Sequence, residues 1–143
     1  MAIAISGGST NFTSTISASP SANRTVTVPD ATFTVAGSDA AQTFSASQRG
    51  TVTTDNDGSF DMNVTNNFKC TPTGSITLTF TNITAGQSGF ILLVNGSNYT
   101  VSAHANTKVA TGALAAMSAT GSYLISYFSD GTNVFVVNSG ALA

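Results

Sequence analysis

Charge is what this chain has least of. Only 7% of its 143 residues are Asp, Glu, Lys or Arg, against roughly 25% in an ordinary soluble domain. The six acids are all Asp, and the bases are Arg24, Arg49, Lys69 and Lys108. A net charge of -2 leaves no basic stripe to neutralise phosphates, which argues against nucleic acid as a partner. With no Glu and two Lys, the chain is also short of two good helix formers. A freely diffusing monomer with so little charge lacks the repulsion that keeps surfaces apart. A chain whose surface is largely covered in an assembly has less need of it.

Other shortages narrow the chemistry. The single cysteine, Cys70, excludes an internal disulfide framework and any multi-cysteine zinc site, and is read as a buried, inert thiol. His104 is the one histidine, so any catalytic thiol or hydroxyl has a single base to draw on. No Gly-x-Ser-x-Gly nucleophile elbow accompanies it, and no pair of carboxylates stands in a recognisable hydrolase arrangement. His104 is therefore expected at a surface or interface, the chain is expected not to be an enzyme, and no cofactor is implied. No stretch approaches the roughly 20 apolar residues needed to cross a bilayer. Met1–Ile5 lacks the basic start and long apolar run of a signal peptide. The expectation is a protein made and kept in the cytoplasm, or one that leaves the cell inside a particle.

What is present is β-structure. Thr25–Val28, Ile76–Thr81 (Ile-Thr-Leu-Thr-Phe-Thr) and Phe90–Val94 (Phe-Ile-Leu-Leu-Val) are short strands set in long Ser/Thr/Asn/Gly connections. Alternation places Ile76, Leu78 and Phe80 on one face and Thr77, Thr79 and Thr81 on the other. Further strands are expected at 33–35, 51–54, 60–65, 99–102, 123–128 and 134–137, and 109–119 is rich enough in Ala for a helical turn. Asp55-Asn56-Asp57-Gly58 reads as a turn, and Asn95-Gly96 as a hairpin returning through Tyr99–Ser102. Phe90–Val94 is apolar on both faces and so reads as a central strand covered on both sides. Together these predict an all-β chain: a jelly-roll-like β-sandwich from 48 to 143, preceded by an extended arm over 1–47 that carries short strands.

The closing hairpin is the most informative part. Tyr123, Ile125 and Tyr127 share one face, Leu124 and Phe128 the other, and Val134-Phe135-Val136-Val137 is apolar on both sides. A sandwich uses one face of each sheet for its own core, so a second apolar face needs a cover. A copy of the same protein is the simplest one. Tyr123, Ile125, Tyr127, Phe135 and Val137 are the expected oligomer interface. Ile3, Ile5 and Phe12, spaced through a Ser/Thr/Ala/Gly-rich arm, are the expected attachment points to a larger body.

Two segments resemble bacteriophage virion proteins. Asn23–Ala31 (Asn-Arg-Thr-Val-Thr-Val-Pro-Asp-Ala), followed by Phe33–Gly37, is similar to an "NRTITLPDA…GTLA" element of phage tail fibres and related appendages. Gly50-Thr51-Val52, Ala85–Gly89 (Ala-Gly-Gln-Ser-Gly) and Tyr123–Phe135 resemble the C-terminal β-domain of such proteins, where the pattern runs "GTVTTL…AGQSGYL…LSYFVDGTNIY". The resemblance covers most of the chain after Asn23. It implies a homotrimeric, β-rich virion component: a head-decoration protein, a head fibre or a tail-fibre tip. The short chain with no shaft repeat favours a trimeric capsid decoration or cement protein that attaches to the major capsid protein and reinforces the phage head. The alternative is a tail-fibre tip or head-fibre module binding a host-surface receptor or glycan.

Three further groups of residues carry competing readings. Asp55, Asp57 and Asp61 imitate part of a calcium loop but lack its distal Glu, and a turn with solvated carboxylates describes them better. Asn11, Asn23, Asn63, Asn82, Asn95 and Asn98 each open an Asn-x-Ser/Thr triplet, read here as turn chemistry. Thr and Asn rows with Tyr99, Tyr123 and Tyr127 nearby have the ingredients of a sugar-binding surface, although threonine rows are equally at home on any solvated β-face.

Overall fold

Residues 47–142 are described by the computed structural model. The expected arm, with Ile3, Ile5, Phe12 and the strands at 24–28 and 33–35, lies outside them. The described part is all-β apart from one helical turn. Its elements are β1 (Val52–Thr54), β2 (Ser59–Asp61), β3 (Asn67–Cys70), β4 (Ile76–Thr81), β5 (Ser88–Asn95), β6 (Val101–Ala103), β7 (Thr107–Val109), α1 (Ala113–Met117), β8 (Gly121–Ser129) and β9 (Val134–Leu142).

The strands form a large sheet in the order β1-β3-β5-β8-β9-β7 and a small one in the order β2-β4-β6. From β1 to β6 the chain alternates between the sheets. Each strand therefore pairs with the next but one: β1 with β3, β3 with β5, β2 with β4 and β4 with β6, all parallel. This is a β-solenoid-like stack, and it corrects the jelly-roll expectation, whose Greek keys are antiparallel. The cause lies in the connections. Parallel neighbours need a crossover, and here that crossover is a strand in the opposite sheet. The linking segments 55–58, 62–66, 71–75, 82–87 and 96–100 are long enough to cross the ~10 Å between packed sheets, since each extended residue spans about 3.3–3.6 Å.

Asn95 shows how a turn signal was diverted. The expected hairpin does not form, because β6 pairs with β4 and not with β5. The Asn95 side chain is buried and works as a hub for the crossing. Its amide donates to the carbonyls of Tyr99 at 2.8 Å and Met117 at 3.0 Å, while its oxygen accepts from the Tyr99 amide at 3.0 Å. Asp55–Gly58 is likewise a turn between sheets. Ser59 N donates to Asp57 Oδ1 at 2.8 Å, and Gly58 takes a φ of 87°, a conformation open to glycine at little cost.

The alternation read for β4 holds: Ile76, Leu78 and Phe80 are buried, and Thr77 and Thr81 are exposed. They meet Phe60, Phe68, Ile91, Leu93, Tyr123, Ile125, Tyr127, Val134 and Val136 in one core. An aromatic chain crosses between the sheets, with ring centroids 5.1 Å apart for Phe60–Phe68, 5.5 Å for Phe60–Phe80 and 5.1 Å for Phe80–Tyr127. These are favourable separations for tilted aromatic pairs. The helical turn α1 packs Ala113 and Met117 against this core. Ser118 Oγ ties it to β6 by accepting from Val101 N at 2.9 Å.

Two substitutions test this framework. A Cβ at Gly89 would lie 1.7 Å from the Asn66 carbonyl oxygen, which already accepts from Phe90 N and from the Tyr127 hydroxyl at 3.0 Å each. Gly89→Ala must push β3 and β5 apart and is expected to cost about 3 kcal/mol. Asn95→Ala leaves the Met117 and Tyr99 carbonyls short of a donor and should cost about 2–3 kcal/mol. Urea denaturation of the purified chain measures both.

Candidate interaction surface

The two sheets share a core but differ on their outer sides. The small sheet turns out Ser59, Asp61, Thr77, Thr79, Thr81 and Ser102, with Thr77 Oγ1 and Ser102 Oγ 2.8 Å apart. That is an ordinary solvated β-face. The large sheet turns out side chains of another kind: Val52 on β1, Phe90 and Leu92 on β5, Leu124 and Phe128 on β8, and Phe135 and Val137 on β9.

Strand register opposes two apolar pairs directly and places Asn67 and Ser126 between the others. Leu92 lies opposite Leu124, Phe90 opposite Ser126, Ser126 opposite Val137, and Phe128 opposite Phe135. Directly opposed side chains on one face have Cβ atoms about 4.5–5.5 Å apart, within contact. The exposures are large: 50% for Phe90, 53% for Phe128, 47% for Phe135, 58% for Val137 and 62% for Val52. A row of this length is not the scatter of single apolar residues that any surface shows.

The face is not flat. On β3 the outward residues are Asn67 and Lys69, between Val52 on one side and Phe90 and Leu92 on the other. The result is an open groove of about 380 Å³ running over β3. At the other side of the same face the opposed pair Phe128 and Phe135 is about half exposed, and Phe135 borders a second shallow depression with Lys108, Val109 and Ala110. Near β8's start the register with β9 shifts between Tyr123 and Ile125, and Leu124 N donates instead to Ser139 Oγ at 3.1 Å. Such a bulge increases local twist.

The structure divides the predicted interface residues. Phe135 and Val137 lie on the outer face. Tyr123, Ile125 and Tyr127 do not: they are 1%, 0% and 4% exposed and fill the chain's own core. This corrects the sequence reading, which gave the outward role to the wrong side of β8. The phenol groups explain the inversion. Tyr123 Oη donates to the Ala119 carbonyl and Tyr127 Oη to that of Asn66, both at 3.0 Å, so both rings are buried with their polar ends paired. The same burial withdraws Tyr123 and Tyr127 from the sugar-stacking role. Val52, Phe90 and Leu92 were not foreseen on this face. The unbroken apolar run of β5 hid its alternation, and no part of the described chain covers its outer side as the sequence reading required.

The remaining candidates stay apart. His104 is exposed in the turn before β7, where its Nδ1 accepts weakly from Asn106 N at 3.4 Å. Cys70 is fully buried, and burial pushes its thiol up to about 12, away from the thiolate a nucleophile requires. Among the described residues no three His, Cys, Asp or Glu side chains come together as a metal site, the three loop aspartates included. Among the same residues no helix is long and apolar enough to cross a membrane.

The aspartates serve turns. The Asn82 amide and Asn63 N hold the Asp61 carboxyl below its ordinary value of 3.8. Backbone amides of Asn133 and Thr132 do the same for Asp130. Groups with depressed folded values contribute stability that is complete above 3.8 and lost as pH falls through the folded value. The chain is therefore expected to weaken as pH falls below about 4, and Asp130→Ala to show a shallower loss there, as urea midpoints at about pH 5 and pH 2.5 will show. No family model, curated protein or solved structure matches this chain.

Proposed function

We propose that this chain is a non-enzymatic structural protein of a phage particle. It assembles as a homotrimer through the outer face of its large sheet and attaches to the capsid surface as a decoration or cement protein. One observation carries the self-association: an apolar sheet face that the chain's own described residues leave uncovered, backed by a polar face on the other side of the sandwich. The sequence resemblance to virion β-domains supplies the setting.

The magnitudes are adequate. Seven apolar side chains about half exposed amount to roughly 600 Å² of apolar surface per copy. That lies at the upper end of the roughly 300–600 Å² of the largest apolar patch on a typical monomer; a trimer shares it between two contacts, so polar surface around it supplies the remainder of the ~800 Å² that each partner commits to a standard interface. At about 25 cal/mol per Å² the gross gain is about 15 kcal/mol per copy. Association costs about 4–15 kcal/mol in lost freedom. The low charge of the chain fits the same picture, since a covered surface needs little charge to stay soluble. Attachment to the capsid is assigned to the amino-terminal segment with Ile3, Ile5 and Phe12 on sequence grounds. An arm that orders on docking can span several subunits.

Solution mass tests the assembly. Light scattering should give three times the chain mass for the full chain. The double variant Leu92→Glu, Leu124→Glu places two carboxylates directly opposite each other on the outer face. It should remain folded but associate at least ~30-fold more weakly, as expected when a buried charge without a partner costs about 2 kcal/mol or more. A monomeric native chain would reject the reading. Removing residues 1–22 should lower occupancy on particles while the trimer survives, measured by co-sedimentation with capsids.

A further inference from the structure

We propose that Asn95 is a latent deamidation site that folding closes, so that a chain that opens between β5 and β6 is marked irreversibly and lost from the native pool. This goes beyond the self-association proposed above and does not rest on it.

The reactive pairing is in the sequence. Asn95 is the one asparagine of the chain followed by glycine. An asparagine amide is attacked by the backbone nitrogen of the next residue, and a side chain on that residue crowds the approach. Glycine removes the crowding and leaves the backbone free to bend toward the attack. Gly96 is exposed, and a Cβ added to it would meet nothing within 4 Å. Neither burial nor crowding of Gly96 restrains the reaction.

The restraint lies in the amide itself. Asn95 is 1% exposed. Both protons of Nδ2 are engaged, by the carbonyls of Tyr99 at 2.8 Å and Met117 at 3.0 Å, and Oδ1 accepts from Tyr99 N at 3.0 Å. Attack makes Cγ tetrahedral and swings Nδ2 and Oδ1 out of the plane in which those bonds are made, which leaves buried groups unpaired. The departing nitrogen also needs a proton from water, which the burial excludes. In the folded chain the crossing must open first, so the rate follows the population of the opened segment.

The chemistry needs only water. Hydroxide takes the proton of Gly96 N, the nitrogen bonds to Asn95 Cγ, the Cγ–Nδ2 bond breaks, and ammonia leaves with a proton from water. The cyclic imide then adds water at either carbonyl and reopens to an aspartyl or isoaspartyl residue, with the Gly96 N–H restored. Neither product fits the site. A carboxylate donates nothing to the Tyr99 and Met117 carbonyls and sets a charge against them in a buried place. The isoaspartyl form also lengthens the main chain where Asn95 pairs with Gly121. Conversion therefore closes the way back to the native state.

Timed incubation of the full chain in mildly alkaline buffer, with and without denaturing urea, tests this by peptide mapping in a mass spectrometer. The peptide containing residue 95 should convert at least ~30-fold more slowly in the folded chain than in the unfolded one. Isomerisation at Asp57-Gly58 and Asp130-Gly131 leaves the mass unchanged and does not enter the readout. Gly96→Ala, which its open surroundings accommodate, should fold and suppress conversion in urea. Once urea is removed, unconverted chains should recover the native urea midpoint and converted chains should not. Equal rates in the two conditions, or no conversion at residue 95 in urea, overturn the latent site. Conversion of Gly96→Ala at the native chain's rate in urea overturns the role of Gly96, and recovery of the native midpoint by converted chains overturns the trap.

Discussion

Each connection from β1 to β6 carries the chain across the gap between two sheets, and the rest of the described structure follows from that crossing. Because successive strands fall in opposite sheets, neighbours within a sheet are parallel and come from alternate strands. Their inward residues, Phe68 and Ile91 from one sheet and Phe60, Leu78 and Phe80 from the other, meet in a single core. The crossings are held by side chains that would serve hairpins elsewhere. Asn95 spends its whole hydrogen-bonding capacity on the 96–100 segment and on the end of α1. Asn56 Oδ1 reaches across to Thr71 N at 2.7 Å, joining two connections at one end of the stack.

Winding of this kind fixes what each strand shows to the core but leaves the two outer faces independent. The small sheet uses that freedom for hydroxyls and the large sheet for Phe, Leu and Val. The difference is not required by folding, since solvent-facing positions on a sheet favour threonine at least as well as phenylalanine. An apolar residue in water contributes little to the stability of its own chain. Seven of them on β1, β5, β8 and β9 are the observation on which the proposed self-association rests.

Much of this was legible in the sequence, and the failures share a cause. The period-two pattern of 76–81 gave β4 and its buried side, and Tyr123–Phe128 with Val134–Val137 gave the antiparallel pair of β8 and β9, as read. The excess of apolar residues on that pair correctly implied two apolar faces. Which face turned inward was hard to read, because Leu124 and Phe128 make one phase of Tyr-Leu-Ile-Ser-Tyr-Phe largely apolar despite Ser126, while the other phase carries two phenols. The answer depended on whether two phenols found buried carbonyls, which is a tertiary fact. Sheet topology was hidden for a related reason. Asn-Gly and Asp-x-Asp-Gly encode a change of direction, but whether the chain turns within a sheet or across to another depends on loop length and on the partners of side chains such as Asn95.

The proposed association through a face, and not along a strand edge, agrees with the lengths of the strands. The edge strands of the large sheet are β1 and β7, and those of the small sheet are β2 and β6; each has three residues. Very short edges offer an incoming strand few ladder hydrogen bonds. On β7 the outward Lys108 adds a charge, with its Nζ donating to the Ala105 carbonyl at 2.7 Å, and on β2 Asp61 does likewise. The long strands, β5, β8 and β9, lie inside the large sheet, where both edges of each are paired and only a face remains to offer. A chain with so few charges thus places some of them where uncontrolled strand addition would begin, and keeps its apolar surface on a face, away from the strand edges.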